Sequence, residues 1–249
     1  MEPGNPLMDA YLLGLVERPR PRVCFLPSAS GDADHYVVRF YRHFGADRCE
    51  ASHISLFRRE HGVEDMRAHL LTQDVVYVGG GSVVSLLGVW RAHGLDEILR
   101  DAWEAGVVLC GLSAGSLCWF AEGVTAFHGG PQRVEGIGLL PFSNTVHYDG
   151  EPDRRPAYLA AVAAGALPAG YGIDDGVGLL FRGTRLAEVV AARPGLRAYR
   201  VDAVEGAARE HELEPRVLAG RDHAPPGAVP HDIGELRLLR AARRRMTRD

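Results

Sequence analysis

Residues 107–119, Val-Val-Leu-Cys-Gly-Leu-Ser-Ala-Gly-Ser-Leu-Cys-Trp, constrain this chain more than any other stretch. A short apolar run of strand character ends in Gly111-Leu112-Ser113-Ala114-Gly115, and a helix-compatible run follows. G-x-S-x-G at a strand-to-helix turn is the pattern of a nucleophile elbow. The chain reverses so sharply there that its central residue is strained, and side chains on the neighbours would clash as the backbones pass. Gly111 and Gly115 remove those side chains. Ser113 Oγ would then stand at the carboxyl end of a sheet. The free N–H groups at the start of the helix would face the place where an oxyanion forms. An ordinary serine in a glycine-rich turn fits the same five letters, so the rest of the chain has to decide.

The segments before the elbow set the fold class. Residues 22–26 and 74–78 read as buried strands, and 49–56 as a weaker one. Helical patterns lie between them. Asp32 is placed as an N-cap for a segment whose Tyr36, Val37, Phe40, Tyr41 and Phe44 share one face. Residues 63–71, 83–93 and 95–104 follow, with Gly94 as the break between the last two. Strands alternating with helices imply parallel β-α-β units. The expected fold is α/β, a doubly wound, mostly parallel sheet with helices on both faces.

After the elbow the pattern loosens. Residues 125–133 read as a loop, 154–164 as a helix, and 186–191 and 196–204 as strands. Arg182-Gly183-Thr184-Arg185 reads as a hairpin turn, so the second half is expected to add C-terminal β-hairpins. Residues 1–220 are read as a single domain. A Pro-rich linker (221–230) follows, then a basic tail (233–246) expected to dock as a helix. That tail carries no aromatic residue for base stacking.

Composition narrows the function classes. A chain of 249 residues with 46% apolar content can bury a sizeable core. A net charge of −4 argues against nucleic acid as a partner. No apolar stretch reaches membrane-spanning length, and the first residues lack the basic-then-apolar order of a secretion signal. Cys24, Cys49, Cys110 and Cys118 form no C-x-x-C pair. A reducing cytoplasm, with neither disulfide nor structural zinc, is the expected setting.

A serine nucleophile needs a base, and the base needs an orienting acid. His147, in Asn144-Thr145-Val146-His147-Tyr148-Asp149, is the leading base. His128 is a rival, but His128-Gly129-Gly130-Pro131 is a poor platform for a rigid site. Asp174 and Asp175 lie at a turn after His147, so the order Ser, His, acid differs from that of α/β-hydrolases. Gly79-Gly80-Gly81 follows a strand but matches neither phosphate-binding fingerprint. It reads instead as a loop beside the elbow whose N–H groups complete an oxyanion hole with Ala114.

Taken together, Tyr77-Val78-Gly79-Gly80-Gly81-Ser82, Trp90-Arg91, Gly94-Leu95, Gly111-x-Ser113-Ala114-Gly115, His147-Tyr148-Asp149 and Gly172-x-Asp174-Asp175-Gly176 resemble peptidase E. That is the aspartyl dipeptidase family of serine peptidases (family S51). It is related to cyanophycinase and built on a class I glutamine amidotransferase-like fold. The resemblance runs from about Arg22 to about Leu218. It implies Ser113 as nucleophile, His147 as base, and the N–H groups of Gly81 and Ala114 as oxyanion donors. It implies Asp175 as the acid. Asp149, at the amidotransferase position two residues after the His, and Glu122 are the alternatives. Ser82 departs from the family's usual Asn. Hydrolysis of Asp-X dipeptides is the implied activity, with Arg154 and Arg155 as candidates for the substrate carboxylate. No metal or organic cofactor is implied. The expected partner is a small peptide substrate, and exposed helices or edge strands leave room for a homodimer.

Overall fold

The computed structural model describes residues 5–57, 63–127 and 129–219. The first half holds α1 (Leu7–Leu13), β1 (Arg22–Leu26), α2 (Asp34–His43), β2 (Glu50–His53), α3 (Met66–Leu71), β3 (Val75–Val78), α4 (Val83–His93), α5 (Leu95–Glu104) and β4 (Val108–Gly111). The strands form a parallel sheet in the order β2-β1-β3-β4. The central strands β1 and β3 are nearly unbroken apolar runs because both their faces are buried, whereas the edge strand β2, Glu-Ala-Ser-His, is polar and only partly covered. Successive side chains point to opposite faces. Val23, Phe25, Val75 and Tyr77 join one core with Leu12, Phe40 and Phe44. Cys24, Leu26, Val76 and Val78 join the other with Leu70, Leu86, Trp90 and Leu99. Helices α1 and α2 therefore cover one face, and α3, α4 and α5 the other. Phe40 stacks between Phe25 and Phe44, with centroids 4.8 and 4.9 Å away.

Two local expectations are corrected. Tyr41 lies off the apolar stripe and is 40% exposed. Asp32 does not cap α2, whose N-cap is Ala33 with no side-chain bond. Its φ of 57° turns it away, and one carboxylate oxygen accepts the N–H groups of Leu56 and Phe57 at 2.6 and 2.8 Å. Asp32 thus ties the loop after β1 to the loop after β2. Helix α4 is capped by Ser82 Oγ, which accepts the Ser85 N–H at 3.1 Å. Gly94, at φ 63°, ends α4 and begins α5.

Beyond Ser113 come α6 (Ala114–Leu117), β5 (Phe120–Thr125), β6 (Gln132–Glu135), β7 (Leu140–Val146), α7 (Arg154–Ala163), β8 (Gly170–Ile173), β9 (Val177–Arg182), β10 (Arg185–Ala191), β11 (Ala198–Val204), β12 (Ala207–Leu213) and β13 (Arg216–Val217). The helix after the elbow is a single turn. A six-stranded sheet has the order β12-β11-β8-β7-β5-β6, and a three-stranded one the order β13-β10-β9. The expected hairpins are present at β9–β10 and β11–β12. However, β5, β7 and β8 run parallel to one another, in a region whose sequence reads as loose.

The reason is the polar centre of β7. Ser143, Asn144 and Thr145 are all fully buried. Ser143 Oγ donates to the Pro168 carbonyl at 2.5 Å and meets Tyr158 Oη at 2.7 Å. Thr145 Oγ1 donates to the Val124 carbonyl, and Asn144 Nδ2 to Ser116 Oγ. Buried polar groups with partners are tolerated in a strand, but they erase the apolar signal that periodicity reads. Among the described residues, no helix is long and apolar enough to cross a membrane. The linker and basic tail expected beyond residue 220 lie outside the described residues, as does His128.

Candidate active site

The elbow is built by close approach. A Cβ on Gly111 would lie 2.2 Å from the Gly115 carbonyl oxygen, and one on Gly115 would lie 2.3 Å from that of Val78. Only hydrogen fits at either position, so β4, α6 and β3 pack with Ser113 at the bend. Ser113 has φ 53° and ψ −114°, a strained conformation for a residue with a side chain. The Gly79-Gly80-Gly81 loop lies against it, and a Cβ on Gly80 would be 3.5 Å from Ser113 Cβ. Gly81, at φ 139°, passes so near the Ala29 carbonyl oxygen that a Cβ there would come within 2.1 Å. Among the described residues, neither the Gly81 nor the Ala114 N–H is given to a backbone carbonyl. With α6 only one turn long, any oxyanion stabilisation rests on these individual N–H groups rather than on a long helix dipole.

His147 follows β7 and also takes a positive φ, 58°. The next residue anchors it. The Tyr148 N–H donates to the Ile173 carbonyl at 3.1 Å, and its ring fills the space a Gly172 side chain would need. Tyr148 Oη donates to Glu210 Oε1 at 2.7 Å. Burial, with that hydrogen bond, holds the phenol well above its ordinary range.

His147 Nε2 stands 3.0 Å from Ser113 Oγ, and Nδ1 2.5 Å from Asp175 Oδ1. A carboxylate only accepts, so Nδ1 carries the proton and Nε2 is left as the acceptor for the serine hydroxyl. Asp175 sits on the turn between β8 and β9, beside Gly176 at φ 84°. Asp174 pins that turn. Its Oδ2 accepts the Arg197 N–H at 2.9 Å, and its own N–H donates to the Arg197 carbonyl. Burial raises the Asp174 carboxyl above its ordinary range, and the nearby Asp149 and Asp175 add to the effect.

The other expected residues are placed elsewhere. Asp149 does not reach the imidazole; its Oδ1 accepts the Asp175 N–H at 3.0 Å. Glu122 pairs with Arg133 across the β5–β6 hairpin. Arg154 is 3% exposed, with its donors on Glu151 and the Val124 carbonyl. Arg155 donates to Glu210 Oε2 at 2.8 Å and lies over the Tyr148 and Tyr199 rings. Glu151 and Glu210 are thus the carboxylate partners of the two arginines. Cys110 and Cys118 flank the elbow, but burial pushes both thiols up, away from the reactive thiolate. Among the described residues, no group of three His, Cys, Asp or Glu side chains could hold a metal ion.

Comparison with known proteins adds a second line of evidence. The sequence pattern of Peptidase family S51 matches residues 1–189. An uncharacterized peptidase of Bacillus subtilis (strain 168), YgaJ, is 44% identical over 218 residues, spanning 88% of this chain and 94% of that one. A peptidase E of Streptomyces coelicolor is 30% identical over 131 residues, 51% of each chain. A crystal structure of a peptidase from an acI-B1 Actinobacterium superimposes with a TM-score of 0.62 at 19% identity, covering 86% of this chain and 89% of that one. A putative peptidase E from Listeria monocytogenes EGD-e gives a TM-score of 0.54 at 17% identity, covering 72% and 90%. These two likenesses concern the fold.

Proposed function

The chain belongs to peptidase family S51 and is a serine-type peptidase; from that premise we propose that it cleaves small peptides through Ser113, His147 and Asp175. The observation that carries this reading is the hydrogen-bond chain from Ser113 Oγ through both imidazole nitrogens to the Asp175 carboxylate, set at a strained elbow. His147 Nε2 takes the Ser113 proton as Oγ attacks the scissile carbonyl. Asp175 keeps Nδ1 protonated and stabilises the imidazolium. The N–H groups of Gly81 and Ala114 hold the tetrahedral oxyanion. His147 then gives its proton to the leaving amine, and the peptide C–N bond breaks. In the second half it draws a proton from water, which attacks the acyl-enzyme and releases Ser113. This chemistry calls for no metal or organic cofactor.

Two substrate readings follow. Family resemblance, and the partial similarity to a peptidase E, favour Asp-X dipeptides. The engagement of Arg154 by Glu151 and of Arg155 by Glu210 favours a peptidase without a strict demand for aspartate. A panel of Asp-Leu, Glu-Leu, Ala-Leu and isoAsp-Leu, followed by mass spectrometry, separates the two. With no cation assigned to the first side chain, Asp-Leu and Ala-Leu are expected within about tenfold of each other in kcat/KM. Arg155→Ala is expected to change that ratio by less than about threefold, because Glu210 already occupies its guanidinium. Cleavage of Asp-Leu alone, lost in Arg155→Ala, would restore the aspartyl reading and the role of Arg155.

A further inference from the structure

Asp149 has an assignment that the proposed catalytic chain does not use. We infer that it is a positioning residue, which holds Asp175 against His147 by accepting the Asp175 backbone N–H. The inference rests on the proposed roles of Ser113, His147 and Asp175. Three links close a ring. His147 and Asp149 share one turn, in which the Gly150 and Glu151 N–H groups both donate to the His147 carbonyl. Asp149 Oδ1 accepts the Asp175 N–H at 3.0 Å. Asp175 Oδ1 returns to His147 Nδ1 at 2.5 Å.

The ring matters because base and acid stand on different turns. The base follows β7, and the acid follows β8. Parallel pairing of Val146 with Ile173, extended by the Tyr148 N–H on the Ile173 carbonyl, brings the two turns side by side but holds neither the Asp175 backbone nor its carboxylate. The 174–176 turn is tied at Asp174 to Arg197, and at Gly176, whose carbonyl accepts the Ala192 N–H. Both ties lead away from His147. The Asp149 contact joins the acid's own backbone to the base's turn. A carboxylate two residues after the histidine could instead have served as the acid itself. In this geometry it acts one step behind the acid, and an amide oxygen could replace it, because the N–H needs only an acceptor.

The test uses a fluorophosphonate probe, which phosphonylates an activated serine and requires no knowledge of the natural peptide. The second-order inactivation rate is followed by intact mass on the full chain. Asp149→Ala is expected to slow labelling of Ser113 about tenfold. Asp149→Asn keeps the acceptor and is expected to recover labelling to within about threefold of the unsubstituted chain. In an Asp175→Ala background, Asp149→Ala is expected to cost no more than about a further twofold, since its effect passes through Asp175. Full-rate labelling of Asp149→Ala overturns the inference. So does an Asn variant as slow as Ala, which would assign the effect to charge, or an equal loss in both backgrounds, which would assign it to general structure. Failure of the unsubstituted chain to be labelled at Ser113 overturns the underlying catalytic roles and the inference with them.

Discussion

Ser113→Ala is expected to reduce peptide hydrolysis by about four orders of magnitude or more, with the fold intact. The hydroxyl is the only group removed, and its hydrogen bond to His147 is the only side-chain hydrogen bond it makes among the described residues. His147→Ala should cost a similar amount, and the double variant little more, because nucleophile and base act as a unit. Asp175→Asn keeps the shape but replaces a pure acceptor with a group that can donate. The imidazole can then turn its proton toward Ser113, and a loss of about 10³–10⁴-fold follows. Steady-state kinetics on a cleaved dipeptide, with circular dichroism to check folding, measure all four. Retention of most activity in Ser113→Ala would mean that Ser113 is not the nucleophile.

Gly115→Ala is expected to carry a large cost in stability. The added methyl would sit 2.3 Å from the Val78 carbonyl oxygen and 2.8 Å from Val78 Cβ. Both belong to a fully buried strand with no room to retreat. Either β3 or the elbow must shift, at a cost of about 3 kcal/mol or more. For a chain of this size that corresponds to a fall in Tm of about 6–12 °C. Gly88 provides the opposite case. It lies exposed within α4, and nothing stands within 4 Å of its would-be Cβ. Gly88→Ala should stabilise by about 0.5–1 kcal/mol through helix propensity and a less flexible unfolded chain. Thermal melts of the two variants check both signs. A neutral Gly115→Ala would mean that the elbow does not depend on this close approach.

Much of this molecule was readable in the letters, for reasons that can be stated. Strands β1 and β3 are buried on both faces, so their sequences are unbroken apolar runs. Helices α4 and α5 are separated in the letters by the break at Gly94, which ends one and begins the other. The elbow is legible because its glycines answer a local steric demand. What was not legible depends on long-range pairing. Strand β7 hides its burial behind Ser143, Asn144 and Thr145, whose partners come from Pro168, Tyr158, Ser116 and Val124. Asp149 and Asp175 both lie on short turns near His147, and spacing cannot say which carboxylate reaches Nδ1. That depends on the register of β7 against β8 and on the backbone of the 174–176 turn. The directions of Arg154 and Arg155 are likewise set by Glu151 and Glu210, and Glu210 is 55 residues from Arg155 in sequence.

The proposed chemistry stands or falls with Ser113 as an activated nucleophile. Its most direct test is to treat the full chain with a fluorophosphonate and locate the adduct by tandem mass spectrometry. One adduct is expected, on Ser113, formed far more slowly in His147→Ala and not at all in Ser113→Ala. No adduct, or one on another residue that survives Ser113→Ala, would contradict it.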